Sequence, residues 1–201
     1  MGKVMIINAS PRAPKSNSRQ YAGIFSENCR FQTEYFNLTK TNHTELSQAM
    51  EGFSDVLLVF PLYADGIPVT LLNFFKSLEE NPPRHKPVVS VLINCGFIEP
   101  EQNDVAVKMV RLYCRNHGYP TGSVLKVGSG EAFLTTPFRF LVEGKIKKLA
   151  ASIASAEYRE LRVTMPLPKR MFIKASSTYW EEYGKKNGVT REDMETMQIE
   201  A

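Results

Sequence analysis

The sequence predicts an α/β fold in which a doubly wound, five-stranded parallel sheet carries helices on both faces. Short apolar runs alternate along the chain with longer amphipathic segments. Two of the runs, residues 56–60 and 88–93, are almost wholly apolar, which is typical of strands buried on both faces of a parallel sheet. Strands that alternate with helices form such sheets because right-handed crossovers place the helices on both faces.

Five strands and five helices are predicted in alternation. The strands are placed at residues 3–8, 31–37, 56–60, 88–93 and 123–127. The helices are placed at residues 18–29, 44–53, 69–80, 103–117 and 137–161, the last being the longest. Residues 1–161 would therefore form one domain, and residues 162–201 a C-terminal extension.

The predicted extension is rich in large apolar side chains, which need a place to be buried. Two arrangements stay open: the extension packs on its own domain, or it lies at a homodimer interface, where aromatic residues, Met and Arg are enriched. The side chains concerned are Met165, Leu167, Met171, Phe172, Tyr179, Trp180 and Tyr183.

Composition excludes several classes of protein. The chain has 201 residues, of which 43% are hydrophobic and 23% charged, as in ordinary globular domains. No apolar run approaches the ~20 residues that span a bilayer, and residues 1–7 are interpreted as a first strand rather than a signal peptide. The three cysteines form no C-x-x-C pair, so we expect neither a disulfide framework nor a metal site, and a cytoplasmic location is the simplest setting.

The net charge is +4, and the positive charge is concentrated in one stretch toward the C-terminus. Residues 139–174 hold nine Lys or Arg and three Glu. Such a stretch either meets phosphate groups or acidic lipid, or forms a solvated helix face. No basic motif with interleaved aromatic residues and no helix-turn-helix pattern is present, so no nucleic-acid partner is expected.

The loops that follow strands one, three and four are the predicted binding site. Ligands of doubly wound sheets bind beyond the carboxyl ends of the strands, near the point where the strand order reverses. These loops, residues 9–18, 61–68 and 94–102, are rich in Gly, Pro, Ser and Asn.

The first loop leads into a helix and has the composition of a phosphate cradle. It combines the hydroxyls of Ser10, Ser16 and Ser18 with the Asn17 amide and with the cations of Arg12 and Lys15. A helix N-terminus adds unpaired N–H groups and a positive dipole end. The simpler alternative is that Ser16 or Asn17 only caps the helix.

Two of these loops resemble a known family. Residues 10–12 and 16–18 are similar to the S-P-R…S/G-N-T/S loop of the flavodoxin-like NAD(P)H-dependent FMN reductases, and residues 60–68 to their P-L-Y-W-G-G-M-P segment. The chain differs from that family at Ala9, Ala64, Asp65, Leu72 and Lys76, and its first loop is about one residue longer. Residues 122–131 resemble the G-x-L-x-I-G-x-G-E stretch of a subgroup of flavodoxin-like oxidoreductase homologues.

The resemblance implies a flavodoxin-like fold with strand order 2-1-3-4-5, bound FMN, and NAD(P)H as co-substrate. By this resemblance the first loop holds the FMN phosphate, the second lies along the isoalloxazine ring, and the third approaches its pyrimidine side. The implied cofactor-binding residues are Ser10, Arg12, Ser16, Asn17, Ser18, Pro61, Leu62, Tyr63, Ala64, Asp65, Asn94, Cys95, Gly96 and Phe97. From the residues alone, Tyr63 could equally cover the core, and Cys95 is interpreted as a small buried residue rather than a reactive thiol.

The resulting hypothesis is an FMN-dependent oxidoreductase that passes electrons from NAD(P)H to a small acceptor, such as a quinone or a flavin. The flavin carries the chemistry, so no catalytic residue is predicted, and the histidines His43, His85 and His117 lie outside the three loops. Two alternatives stay open. One is a flavodoxin-like electron carrier without NAD(P)H turnover, a class that tends to be acidic, and the other is a non-enzymatic protein that has lost flavin.

Overall fold

The computed structural model describes residues 2–13 and 15–196. The chain divides into two compact units, Met1–Met165 and Pro166–Ala201. The first unit holds the sheet, and its end lies beyond the predicted domain boundary at residue 161. The second unit is helical.

The first unit is built on a parallel sheet of six strands in the order β2-β1-β3-β4-β5-β6. The strands are β1 (Lys3–Asn8), β2 (Gln32–Asn37), β3 (Asp55–Pro61), β4 (Val88–Asn94), β5 (Thr121–Val127) and β6 (Glu160–Val163). The expected order 2-1-3-4-5 is confirmed, but the expected number of five strands is wrong, because β6 pairs with the outer edge of β5.

Six helices connect or follow these strands. They are α1 (Asn17–Asn28), α2 (His43–Ala49), α3 (Val69–Glu80), α4 (Asp104–Asn116), α5 (Gly130–Thr135) and α6 (Arg139–Ala154). Two 3₁₀ turns, Met50–Gly52 and Pro100–Asn103, end α2 and lead into α4. The short helix α5 was not predicted.

The predicted last helix, residues 137–161, is too long at both ends. It begins at Arg139 and ends at Ala154, and Ala156 then turns the chain with a φ of 55°. The chain then forms β6 beside β5. Just before β6, the Arg159 N–H donates to Ser123 Oγ on β5 over 3.1 Å and holds the start of the strand in place. A salt bridge of 2.8 Å from Lys126 Nζ on β5 to a Glu160 carboxylate oxygen also holds β6.

Both faces of the sheet are buried, as a doubly wound fold requires. Five consecutive residues of β3, Val56 to Phe60, are each at most 2% exposed. One face packs on α2, α3 and α4 through a cluster that includes Met5, Leu58 and Phe74. The helices α1 and α6 pack against each other and cover the other face.

The strand order fixes where a site can form. The chain leaves β1 to form β2 on one side and then crosses to β3 on the other. The connections that leave the carboxyl ends of β1 and β3 therefore diverge to opposite faces, and a crevice opens between them. The predicted first and second loops lie at this crevice, beside the end of β4.

The second unit contains α7 (Lys169–Lys186) and α8 (Arg191–Thr196). Gly184 leaves room on α7 for the Met194 side chain of α8, and Arg191 lies 3.5 Å from a Glu181 carboxylate oxygen. Its aromatic residues also contact one another, with the rings of Tyr179 and Trp180 centred 5.2 Å apart. Packing of this unit on the domain, or at a homodimer interface, stays a prediction.

Two kinds of feature are absent from the described residues. In the part of the chain that the structure describes, no helix combines the length and apolar character needed to cross a membrane. Among residues 2–13 and 15–196, the His, Cys, Asp and Glu side chains form no group of three or more that could hold a metal ion.

Candidate functional site

A cavity of about 320 Å³ lies beyond the carboxyl ends of β1, β3 and β4, where the three predicted loops meet. This volume is at the lower end of the roughly 300–1,000 Å³ typical of small-molecule sites. The residues that line it are Ser10, Pro11, Arg12, Lys15, Ser16, Asn17, Ser18, Pro61, Leu62, Tyr63, Asn94, Cys95, Gly96 and Glu131.

Most of the cofactor-binding residues predicted from the sequence thus line this one cavity. The exceptions are Ala64, Asp65 and Phe97, which do not line it. Ala64 and Asp65 are the tip of a turn beyond the rim, and Phe97 is 51% exposed. The Phe97 carbonyl faces the protein instead, where it accepts a hydrogen bond of 2.6 Å from the Ser129 N–H.

Three lining residues are additional to the predicted set: Pro11, Lys15 and Glu131. Lys15 was recognised as a cation of the first loop. Glu131 lies in the first turn of α5. The sequence offered a signal for it, because residues 128–131 read Gly-Ser-Gly-Glu directly after a predicted strand, as a site loop would.

Hydrogen bonds hold the first loop in place at both of its ends. At its start, the Ser10 N–H donates to Asn8 Oδ1 over 3.1 Å, and the Ala13 N–H donates to the Ser10 carbonyl over 3.0 Å. At its end, Ser16 is the N-cap of α1, with Oγ accepting from the Arg19 N–H over 3.2 Å. The capping role considered for Ser16 is therefore confirmed, and it leaves Ser16 in the cavity wall.

The three serine hydroxyls of this wall all act as acceptors toward the protein. Ser10 Oγ accepts from the Arg12 N–H over 3.3 Å, Ser16 Oγ from the Arg19 N–H, and Ser18 Oγ from Asn94 Nδ2 over 3.1 Å. A hydroxyl that accepts from its surroundings keeps its own proton for a further partner. With the cations of Arg12 and Lys15 nearby, the wall offers hydrogen-bond donors and positive charge to an anionic group.

Asn94 joins the third loop to the first. Its Nδ2 donates to Ser18 Oγ and also to the Phe60 carbonyl over 3.2 Å, and the residue is 5% exposed. Because a carbonyl can only accept, the nitrogen of the amide must face Phe60. Gly130 allows α5 to approach this point, since a Cβ there would lie 2.9 Å from that of Asn94.

Cys95 lines the cavity as a buried residue. It is 5% exposed, and its Sγ lies 3.3 Å from Asn103 Nδ2. Burial raises the pKa of the Cys95 thiol above its ordinary value. The thiolate is the reactive form of cysteine, so the geometry agrees with the structural interpretation of this residue.

Tyr63 stands at the rim and is 57% exposed, so it does not cover the core. Its N–H and carbonyl exchange hydrogen bonds of 3.1 Å with Gly66, and they close a turn with Ala64 and Asp65 at its centre. The φ angles there are 46° and 58°, which resemble the primed turns of hairpins. Ala is an uncommon residue at such an angle.

Comparison with known proteins shows the class of fold. No protein-family model matches the sequence, and no curated protein matches it significantly. Among solved structures, the chain is similar to a flavodoxin from Streptococcus pneumoniae TIGR4, with a TM-score of 0.57 and 14% identity over 77% of this chain and 99% of that one. The structures that match therefore include ones of the flavodoxin-like fold, and this chain has that fold.

Two further structures are of reductases. An FMN-dependent NADH-azoreductase from Bacillus anthracis, solved in complex with FMN, has a TM-score of 0.55 and 16% identity over 77% of this chain and all (100%) of that one. An NADPH-quinone reductase from P. pentosaceus has a TM-score of 0.57 and 14% identity over 75% of this chain and 98% of that one. The expected flavodoxin-like architecture is thus confirmed, with a sixth strand added.

Proposed function

We propose that the protein is an FMN-dependent oxidoreductase that moves electrons from NAD(P)H to a small acceptor such as a quinone or another flavin. The observation that carries the proposal is the cavity wall in which Ser10, Ser16 and Ser18 each accept a hydrogen bond from the protein, beside Arg12 and Lys15. Such a wall matches a phosphate, which has only acceptor atoms at its anionic end.

The residues of the cavity fit FMN in two parts. The phosphate would lie at the first loop, where the serine hydroxyls, the two cations and the first N–H groups of α1 are available. The ring would lie toward Leu62, Tyr63 and the backbone of residues 94–96, where apolar and aromatic groups line the cavity. Bound FMN supplies the hydride and electron chemistry.

The chain itself needs to bind, orient and shield the cofactor. None of the three histidines lines the cavity, and His117 instead lies with Nε2 3.3 Å from a Glu79 carboxylate oxygen. The Cys95 thiol is buried, and burial raises its pKa, which disfavours the reactive thiolate. The cavity therefore presents binding groups, which agrees with a site in which the flavin and not a side chain reacts.

The comparisons support this proposal. They are also compatible with one alternative, a flavodoxin-like electron carrier without NAD(P)H turnover. The azoreductase is named as an NADH enzyme and the quinone reductase as an NADPH enzyme, whereas the third structure of similar fold is named as a flavodoxin. The net charge of +4 favours the reductase, because acidic surfaces suit carriers that meet basic partners.

Reduction of the FMN-loaded protein tests the activity. The purified chain is loaded with FMN and mixed anaerobically with NADH or NADPH, and the loss of oxidised-flavin absorbance is followed. A quinone, a free flavin, an azo dye and a ferric salt are then offered as acceptors. We expect reduction by at least one nicotinamide and reoxidation by at least one acceptor. FMN binding without reduction by either nicotinamide would instead indicate an electron carrier.

A double variant tests the assignment of the first loop. Replacing Ser10 and Arg12 by Ala should weaken FMN binding by about 2–4 kcal/mol, because hydrogen bonds to a charged group contribute roughly 1.5–3 kcal/mol each and are not additive. Arg30→Ala is the control, since Arg30 is an exposed cation outside the cavity. Unchanged FMN affinity in the double variant would show that the loop does not hold the phosphate.

A further inference from the structure

Asn8 is buried at the end of β1, with its side chain directed toward the first loop, yet it does not line the cavity. Its Oδ1 accepts the Ser10 N–H over 3.1 Å. A backbone N–H can only donate, so this contact fixes the orientation of the Asn8 amide. The amide nitrogen, Nδ2, must then face the opposite direction.

Two hydroxyl oxygens lie on that opposite side. Nδ2 is 2.8 Å from Tyr35 Oη and 3.4 Å from Ser16 Oγ. Tyr35 Oη donates its own proton to Asn37 Oδ1 over 2.6 Å, so it can accept from Asn8. The Arg19 guanidinium lies 3.8 Å from the centre of the Tyr35 ring and holds the ring in place.

The position of the Ser16 proton follows from these contacts. Ser16 Oγ receives one N–H from Asn8 Nδ2 and a second from the Arg19 backbone. A hydroxyl has two lone pairs and one proton, so both acceptor sites are used and only the proton remains. Ser16 lines the cavity, where the proton is left to donate.

We propose that Asn8 is a positioning residue for anion binding: its amide makes Ser16 a hydrogen-bond donor toward the cavity and at the same time anchors Ser10 at the start of the loop. This inference rests on the proposed function, because the anion concerned is the FMN phosphate. Asn8 touches no ligand itself and acts through the two serines.

Asn8→Asp reverses the polarity of this contact with little change in shape. The carboxylate keeps an acceptor for the Ser10 N–H, but it has no N–H for Ser16. The Ser16 hydroxyl would turn to donate to the carboxylate and present a lone pair to the cavity. We expect the dissociation constant for FMN to rise about tenfold or more, since a hydrogen bond to an anion is lost. Riboflavin, which has no phosphate, should bind within about twofold of the wild-type affinity, as expected for contacts that the loop does not make.

Asn73→Asp is the matched control. Asn73 is exposed on α3 and outside the cavity, so this variant changes the net charge equally without touching the first loop. Thermal unfolding of each variant checks that the fold is kept. Equal weakening of FMN and riboflavin by Asn8→Asp would overturn the proposal, because a general structural defect has that effect.

A double-mutant cycle tests whether Asn8 acts through Ser16. Ser16→Ala, Asn8→Ala and the double variant are titrated with FMN. We expect the double variant to lose less affinity than the two single losses combined, since the contacts are shared. If the losses of FMN affinity in the two single variants added fully in the double variant, Asn8 would not act through Ser16. If the Asn8 variants do not fold, Ser16→Ala decides alone, because unchanged FMN affinity in that variant overturns the proposal.

The wild-type titration separates this inference from the function on which it rests. A wild-type chain that binds no FMN would remove the proposed function itself. A wild-type chain that binds FMN, with an Asn8→Asp variant that binds it equally well, would remove only the positioning role. Both results come from the same titration of purified protein.

Discussion

Asn94 at the end of β4 donates a hydrogen bond of 3.1 Å from Nδ2 to Oγ of Ser18, in the first turn of α1. The two residues are 76 positions apart in the sequence, and the bond is buried. It joins the third loop to the first across the crevice at the carboxyl ends of the strands. The cavity wall is therefore connected to β4 and to α1.

Removal of the Ser18 hydroxyl should affect binding more than folding. In Ser18→Ala, Asn94 keeps its bond to the Phe60 carbonyl, so we expect the free energy of unfolding to fall by only about 0.5–1.5 kcal/mol. FMN binding should weaken by roughly 1.5–3 kcal/mol if the hydroxyl donates to the phosphate. Flavin titration and urea unfolding measure the two quantities. Ser26→Ala, on the exposed side of the same helix, should leave FMN binding unchanged.

Tyr21 should be important for stability because it joins α1 to α5. Its hydroxyl donates to the Gly130 carbonyl, both residues are buried, and burial raises the pKa of Tyr21 well above its ordinary value. Tyr21→Phe leaves that carbonyl without this donor, and we expect a loss of about 1–3 kcal/mol in the free energy of unfolding. Tyr158→Phe is the comparison, since Tyr158 is 40% exposed. Equal effects of the two variants in chemical denaturation would contradict the buried role of Tyr21.

The turn at the rim should tolerate glycine better than its present alanine. Ala64 has a φ of 46°, a region that favours residues without a Cβ. We expect Ala64→Gly to raise the free energy of unfolding by about 0.5–1 kcal/mol, after the added freedom of the unfolded chain is counted. Ala151→Gly, on the exposed side of α6, should lower it by a similar ~0.5–1 kcal/mol. Destabilisation by both variants would show that the turn at Ala64 is not strained.

Asp55 should make stability depend on pH. It is 6% exposed at the start of β3, and burial raises the pKa of its carboxyl, an effect only partly offset by the Ser54 hydroxyl that donates to Oδ2 over 2.8 Å. A raised folded-state pKa contributes stability that is fully present below the unfolded-state pKa of about 3.9 and is lost as the pH rises through the folded-state value.

Asp55→Asn removes the ionisation and should show this directly. The variant should become more stable relative to the wild type as the pH is raised from about 3.5 to about 7, because only the wild type then buries a charge. Urea unfolding at a series of pH values gives the difference in free energy. A constant difference over the whole range would mean that Asp55 is not a source of pH dependence.

All five strands placed from the sequence are present in the structure, and those buried on both faces were the most clearly indicated. Strands β1, β3 and β4 are apolar along nearly their whole length, so local composition identifies them. β6 lies at the edge and alternates Glu160 and Arg162 with Leu161 and Val163, and its first two residues fell within the predicted last helix. Its partners lie at distant positions that no local pattern contains: β6 pairs with β5, and Lys126 on β5 forms a salt bridge with Glu160.

The candidate site could be predicted to the extent that topology determines it. Parallel strands end at one edge, so their loops meet there, and the first-loop residues line the cavity as that argument requires. Glu131 was missed because it reaches the cavity from α5, a helix that was not predicted. This helix has only six residues and begins after Ser129, whose φ is 53°. The direction in which each serine hydroxyl donates could not be predicted from the sequence either, since it depends on hydrogen-bond partners such as Asn8 and Asn94.

The most direct test of the account is a titration of the purified protein with FMN and, in parallel, with riboflavin. The two ligands share the ring and differ in the phosphate, so the ratio of their dissociation constants measures the contribution of the first loop. We predict that FMN binds at least about thirtyfold more tightly than riboflavin, which corresponds to roughly 2 kcal/mol. Equal affinity for the two, or no binding of either, would contradict a phosphate site formed by the serines, Arg12 and Lys15.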